Sequence, residues 1–289
     1  MKKIVILGCE NSHANSFLEF ITKEEKYKDV QVLGVYSDDE AAAQKLHDTY
    51  GVSVMSAYDE AVGQVDGVII TARHGDNHYK YAKPYLPSGV PMFIDKPITV
   101  SESDALALAK ALKEYNVPFT GGSSCRFDKT VLNLKEEMKN EVGGKTVGGF
   151  VKAPISMNNA YGGFFFYSQH LAEIVMEIFG RYPKSVKTYE KDGKYTVVFR
   201  YDEYDVTGLY VEDSYCYFAS RVAMEQTSGA ALEMGMDIFR AEFDVFYSLL
   251  CGGKEEMDLK AFVAPVYVLN AIKRSMDTGE ETLVEQAEI

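Results

Sequence analysis

The sequence predicts an α/β protein, with an N-terminal Rossmann-type doubly wound parallel sheet and a C-terminal α+β domain carrying an open, mostly antiparallel sheet. Three observations predict it. Up to about residue 120, short apolar runs rich in β-branched residues alternate with segments of helical spacing, the grammar of βαβ units. The first run, IVILG, ends in a glycine just ahead of a helical segment, as a nucleotide-binding turn does. After FTGGSSCRFD, residues 119–128, the order changes to a run of consecutive strand-like segments closed by helices.

In the first half, strands are expected over 3–8, 30–36, 66–71, 90–94 and 117–120. Helical spacing covers 12–25, 39–50, 76–86 and 101–115. Ser101 can cap the last of these, with Asp104 in its first turn. The second half predicts a helix over 128–140, a strand over 145–153, a loop ending in Gly162-Gly163 and a helix over 164–179. Strand-like runs follow at 184–191, 194–201, 204–211, 214–220 and 222–228, with KDGK as a hairpin turn, then helices at 236–250 and 258–276. The expected domains are therefore 1–120 and 121–289. Aromatic and apolar residues alternate at Tyr195, Val197, Phe199 and Tyr201 and again at Tyr215 and Tyr217, so one sheet face is expected to bury against helices and the other against a partner subunit.

A chain of 289 residues that is 46% hydrophobic can bury a substantial core, and its net charge of −13 repels nucleic-acid phosphates and anionic lipid. Neither nucleic acid nor a membrane is an expected partner; a small molecule is. The N-terminal apolar run is five residues long, too short for a signal peptide, and a cytoplasmic protein is expected. Cys9, Cys125, Cys216 and Cys251 have no ligand or disulfide spacing and read as free thiols.

The candidate site residues lie on the loops that leave these strands. Gly8 ends the first strand, and GCENSH places Glu10 and His13 where G-x-G-x-x-G would have its second and third glycines. Glutamate there adds a negative side chain where a pyrophosphate approaches. The helix N-terminus survives, with Asn11 or Ser12 as cap and N–H groups that attract an anion. After the second strand, in VYSDDE, Ser37 and Asp38 stand where a ribose is read. Asp38 would accept the 2′-hydroxyl and repel a 2′-phosphate, which favours NAD over NADP; the same run also serves as an ordinary helix cap. TARHGDNH, from Thr71 through His74 to His78, leaves the third strand at its carboxyl end. FIDKP follows the fourth and fixes Lys96 between Asp95 and Pro97, where its ammonium can exchange a proton with a substrate hydroxyl.

Taken together, Gly8, TARHGDNH, DKP at 95–97, GGSSCRFD at 121–128, the Gly-Gly then His of 162–170 and the closing NAIKRSMDTGE resemble the Gfo/Idh/MocA oxidoreductases, across essentially the whole chain. The resemblance implies an N-terminal domain binding NAD(P), a C-terminal α/β domain with an open sheet, sheet-to-sheet homodimers or homotetramers, and oxidation or reduction of a sugar, cyclitol or related compound. Lys96 then corresponds to the lysine of the family's Glu-Lys-Pro motif, with Asp95 in place of the glutamate. His170 corresponds to the histidine of its Asp-x-x-x-His motif, and Phe166 stands where the aspartate belongs. Tyr167 and Glu173 are the nearest groups that can relay a proton in its stead. Arg126 and His78 join the expected substrate contacts.

Four of the five histidines, His13, His74, His78 and His170, fall on segments expected to line one crevice, with Glu10 and Asp76. Imidazole and carboxylate also suit Zn²⁺ or Mn²⁺, but no spacing here identifies a metal site and none is assigned. The leading expectation is an NAD-linked oxidoreductase of a polyol or sugar, with Lys96 and His170 handling the proton. A non-redox isomerase, lyase or hydrolase on the same scaffold and a ligand-binding relic remain alternatives.

Overall fold

A computed structural model describes all of residues 1–289 and divides them into two compact units. The first contains five parallel strands, β1 (Lys2–Leu7), β2 (Val30–Tyr36), β3 (Gly67–Ile70), β4 (Met92–Asp95) and β5 (Phe119–Gly122), in the order β2-β1-β3-β4-β5. Helices α1 (Ser12–Lys23), α2 (Glu40–Tyr50), α3 (Asp76–Ala82) and α4 (Glu102–Glu114) connect them. β3 and β4 are buried along their whole length, which is why they read as unbroken apolar runs without alternation. The strand order reverses between β1 and β3, and the carboxyl ends of the strands at that point form the crevice in which such sheets hold ligands. Ser101 caps α4 as expected, its hydroxyl accepting from the Asp104 N–H at 3.1 Å. The helix expected over 76–86 stops at Ala82, just before Pro84, and Pro87 opens a short 3-10 turn instead.

The second unit contains α5 (Lys129–Lys139), β6 (Thr146–Ile155), α6 (Phe164–Phe179), β7 (Ser185–Lys191), β8 (Lys194–Arg200), β9 (Asp205–Glu212), β10 (Phe218–Ala223) and β11 (Thr227–Ala231). After these come α7 (Met236–Leu250), α8 (Leu259–Thr278) and β12 (Thr282–Leu283). The sheet runs β11-β10-β6-β9-β8-β7-β12, with β6 and β9 its single parallel pair. The fold class is as the sequence predicts. The KDGK hairpin turns on Asp192 and Gly193, both at positive φ. The last two strands lie further along the chain than expected. Asp213 at φ 56° diverts the chain after β9, and the hairpin closes later, where Ala223 N–H bonds the Gln226 carbonyl at 2.8 Å.

α6 covers the inner face of this sheet. Leu171 and Phe179 press on the backbone of β9 and β6, where a Cβ at Gly208 would lie 2.7 Å from Leu171 Cδ2 and one at Gly149 2.1 Å from Phe179 Cζ. Val197, Phe199 and Tyr210 face the helix and are buried, each such side chain worth roughly 1.5–3 kcal/mol. Arg221 is 1% exposed and spends its guanidinium on the Thr146 hydroxyl and the Val142 and Gly144 carbonyls at 2.7–2.9 Å.

One feature departs from the expected division at residue 120. The first unit comprises Met1–Gly122 together with Phe239–Phe262 and Ile289, so α7 packs on the parallel sheet although the sequence order places it in the second domain. The reason is an aromatic stripe: Phe239, Phe243 and Phe246 recur at helical spacing and meet Phe17, Phe20 and Phe93. Tyr27 stacks on Phe243 and donates its hydroxyl to Asp244 at 2.7 Å.

Candidate active site

Gly8 ends β1 at φ +90°, and a Cβ built there would lie 2.2 Å from the Ala72 nitrogen. Only glycine satisfies both constraints. Its N–H bonds the Tyr36 carbonyl at 2.7 Å, and its carbonyl accepts the Thr71 hydroxyl at 2.6 Å, so the first turn is locked to the ends of β2 and β3. Thr71 is fully buried and shapes the turn. Gly8→Ala is expected to cost about 3 kcal/mol or more, combining left-handed strain with overpacking, and to lower the urea unfolding midpoint accordingly.

Asn11 stands at the N-cap of α1, yet its side chain caps nothing; the amide donates instead to Asp95 Oδ2 at 2.6 Å. Ser12 is exposed and bonds only the Asn11 side chain, at 3.3 Å. The expected cap by either residue is therefore absent. The first-turn N–H groups of α1 have no side-chain acceptor and no acidic neighbour within the turn, the arrangement that receives an anion.

Glu10 lies beside that turn. Its carboxylate accepts the Ser37 hydroxyl at 2.6 Å and the Arg73 N–H at 2.9 Å, tying the loops after β2 and β3 together. Asp38 follows Ser37 with its side chain about half exposed. Burial alone would raise its pKa, but the Tyr36 and Tyr81 hydroxyls and the Lys80 ammonium hold the carboxyl below its ordinary value. A cavity of about 400 Å³ opens beside it, lined among others by Tyr36, Ser37, Gln44 and Met55.

A second cluster, wholly buried, occupies the end of β4. Asp95 Oδ1 accepts the Lys96 N–H at 2.6 Å, and Asp95 Oδ2 lies 3.2 Å from His13 Nδ1. The other ring nitrogen, Nε2, lies 3.1 Å from Glu242 Oε2 of α7. Sequence reasoning missed Glu242, which belongs to the returning helix. The available signal was a glutamate set within an aromatic stripe. Burial, reinforced by the Glu242 charge, lifts the Asp95 carboxyl to about 6, against the pull of His13 and Lys96. Burial likewise lowers the His13 pKa, opposed by Asp95. A carboxyl raised in the folded state is bound to its proton more tightly there than in the unfolded chain, so stability falls as pH rises from the ordinary carboxyl range to about 6. Asp95→Asn is expected to remove that slope, gaining on the wild type by up to about 2–3 kcal/mol across the window in denaturant titrations at successive pH.

The remaining sequence candidates in this unit have structural duties. His78 is 0% exposed, with Nε2 2.7 Å from the Ala72 carbonyl, and braces the loop after β3. The partly exposed His74 accepts the Asp76 N–H at 3.3 Å at the start of α3. Cys9 is buried, and burial with the nearby Glu10 charge pushes its thiol up to about 12, which makes it unreactive.

In the second unit, His170 and Tyr167 lie on α6 with ring centroids 5.4 Å apart. Nδ1 of His170 lies 2.7 Å from the Ser123 hydroxyl and 3.4 Å from Cys125 Sγ, which fixes the ring. Glu173 is 2% exposed and is engaged by the Ser123 N–H, the Gln169 amide at 3.0 Å and Arg181 at 3.4 Å. It braces the segment after β5. Arg126 is 5% exposed and stacks on Phe127 at 4.1 Å. Phe166 packs between Tyr161 and Tyr167, at 5.1 and 5.0 Å. No three His, Cys, Asp or Glu side chains are grouped to hold a metal ion, and no helix is long and apolar enough to cross a membrane.

Residues 2–123 match the model of the oxidoreductase family with an NAD-binding Rossmann fold, Gfo/Idh/MocA. That match covers the five parallel strands and the helices between them, so this stretch is similar to the family's NAD-binding domain. An uncharacterized oxidoreductase of Escherichia coli K12, YhhX, is 28% identical over 86 residues, or 29% of this chain. The match spans 25% of that relative's length. Solved structures share the fold over nearly the whole chain. Myo-inositol 2-dehydrogenase from Lactobacillus plantarum superposes with a TM-score of 0.86 at 13% identity, covering 98% of this chain and 99% of that one. A myo-inositol dehydrogenase from Corynebacterium glutamicum gives 0.84 at 14%, covering 99% and 100%. GenD2 from gentamicin A biosynthesis, in complex with NAD, gives 0.83 at 16%, covering 98% and 96%.

The residues of the first unit fit a dinucleotide: Gly8 lets the turn after β1, at the head of α1, pack tightly against Ala72, the first turn of α1 lacks a side-chain cap, and Asp38 stands ionised after β2. The Glu10 carboxylate beside that turn opposes a diphosphate by its charge.

Proposed function

We propose that this chain is an NAD-dependent oxidoreductase of a sugar, cyclitol or similar hydroxylated compound. The observation that carries the reading is the Gly8 turn, kept glycine-only by Ala72 and followed by a helix whose N-terminus is open to an anion. The family match over residues 2–123 supports it, and the myo-inositol dehydrogenases among the structural neighbours suggest the substrate class.

In this reading the diphosphate is held by the α1 N–H groups and a ribose hydroxyl by Asp38, whose ionised carboxylate repels a 2′-phosphate and so selects NAD over NADP. NAD, when bound, accepts or returns a hydride. Lys96, fixed at the end of β4 through its own N–H to Asp95, exchanges the proton of the reacting hydroxyl. His170, its ring set by Ser123, assists, with Tyr167 beside it in the relay position that Phe166 cannot fill. We further propose that a second copy covers the outer face of the seven-stranded sheet in a homodimer or homotetramer, since Phe150, Val198, Leu209 and Phe218 there are only half-buried.

The test is reduction of NAD, followed at 340 nm, across inositols, hexoses and their acids. Turnover with at least one polyol, and faster with NAD than NADP, is expected. Inactivity with every polyol, together with activity on a substrate lacking a carbinol, would contradict the reading.

A further inference from the structure

We propose that His13 and Glu242 are positioning residues: with Asp95 they form a buried carboxylate, imidazole, carboxylate array that holds a shared proton next to Lys96 and sets the charge of that corner. The inference deepens the oxidoreductase reading and rests on it for the role of Lys96, but the array itself stands on geometry within the first unit.

His13 occupies the third position of the glycine pattern, where a small residue would serve close packing of the helix on the sheet. Instead its ring is 3% exposed and presents each nitrogen to a different carboxylate, Asp95 Oδ2 at 3.2 Å and Glu242 Oε2 at 3.1 Å, both carboxylates being 0% exposed. Phe239 and Phe17 hold the ring edge-on, with centroids 4.7 and 5.7 Å away. The Asn11 amide donates to the same Asp95 oxygen, and the Asn11 carbonyl oxygen lies 3.3 Å from Nδ1.

Counting protons shows what such an array must do. A neutral imidazole carries one N–H and can donate to one carboxylate only. The other nitrogen would then turn a lone pair towards a second buried carboxylate, an arrangement in which two acceptors face each other without water. Both contacts, close in distance, become attractive only when a second proton is present, either on the ring or as a carboxylic acid. With that proton the array carries one net negative charge, which the Lys96 ammonium balances.

The charged and titratable groups that face His13 are Asp95 from β4, Lys96 immediately after it and Glu242 from α7; the contacts from Phe17 of α1 and Phe239 of α7 are apolar. Burial drives Asp95 towards its protonated form and His13 towards its neutral one, so the shared proton lies towards the carboxylate side. Glu242 reaches Lys96 through the ring: removing its charge weakens proton binding by His13 and Asp95 together.

The test is ring ¹⁵N–¹H NMR of histidine-labelled full-length protein, with the His13 signals identified by their loss in His13→Gln. At neutral pH the wild type is expected to show a slowly exchanging His13 ring proton. Glu242→Gln is expected to reduce the proton affinity of His13 about tenfold or more, moving its midpoint down by a unit or more. Glu242→Asp is expected to restore most of the shift. Should Glu242→Gln fail to fold, Asp95→Asn supplies the same reading from the other side of the ring. A His13 midpoint unmoved by either change, or a wild-type ring without a protected proton, overturns the proposal. Dinucleotide binding is separate: its absence would remove the oxidoreductase reading and leave this titration intact, whereas a flat titration would remove the array and leave hydride chemistry untouched.

Discussion

Glu10→Gln is expected to tighten NADH binding by about tenfold or more. The carboxylate of Glu10 is fixed by the Ser37 hydroxyl and the Arg73 N–H, so it cannot turn away from the first turn of α1 without breaking two hydrogen bonds. A diphosphate held by that turn meets a like charge a few ångströms off, a repulsion of roughly 1–2 kcal/mol after solvent screening, and about 1.4 kcal/mol is tenfold in affinity. Glutamine keeps an oxygen for the Arg73 N–H and offers an N–H to Ser37, so the loop brace survives while the charge is lost. Calorimetric titration of both proteins with NADH reads the difference directly. Equal or weaker binding by the variant would show that the charge does not oppose the cofactor.

Lys96→Ala is expected to lower turnover by about 10²–10⁴, the usual contribution of a positioned acid or base. NADH affinity should stay within about threefold, because the side chain of Lys96 is assigned to the substrate hydroxyl and not to the dinucleotide. Lys96→Arg should recover little, since a guanidinium does not deprotonate near neutral pH. Steady-state kinetics on the polyol identified by the 340 nm assay, alongside calorimetry, separates the two effects. A loss confined to cofactor affinity would move Lys96 from proton transfer to cofactor binding.

Most of the fold was legible because its signals are local. IVILG and GVII lie in strands whose two faces are both covered, so they read as apolar runs; Ser101 announces α4; Asp192-Gly193 announces the hairpin between β7 and β8. The return of α7 to the first unit was not legible, because the stripe of Phe239, Phe243 and Phe246 says only that the helix is buried and not which sheet buries it. The same limit hid Glu242, whose partner His13 lies more than two hundred positions away in the chain. The candidates at Gly8, Asp38 and Asp95 follow from their place at strand ends. Candidates named for residue type alone are harder to read. His78, Glu173 and Arg126 are polar residues spent on backbone, neighbouring side chains and an aromatic ring inside the fold, a use that sequence spacing cannot distinguish from a ligand contact.

The account stands on the open N-terminus of α1 as the place where a dinucleotide is held. The most direct measurement follows the backbone amide resonances of Ser12, His13 and Ala14 in labelled protein during titration with NADH. The account predicts large, saturating shifts at these three amides. Unmoved α1 amides at millimolar NADH, in the wild type and in Glu10→Gln alike, would contradict it.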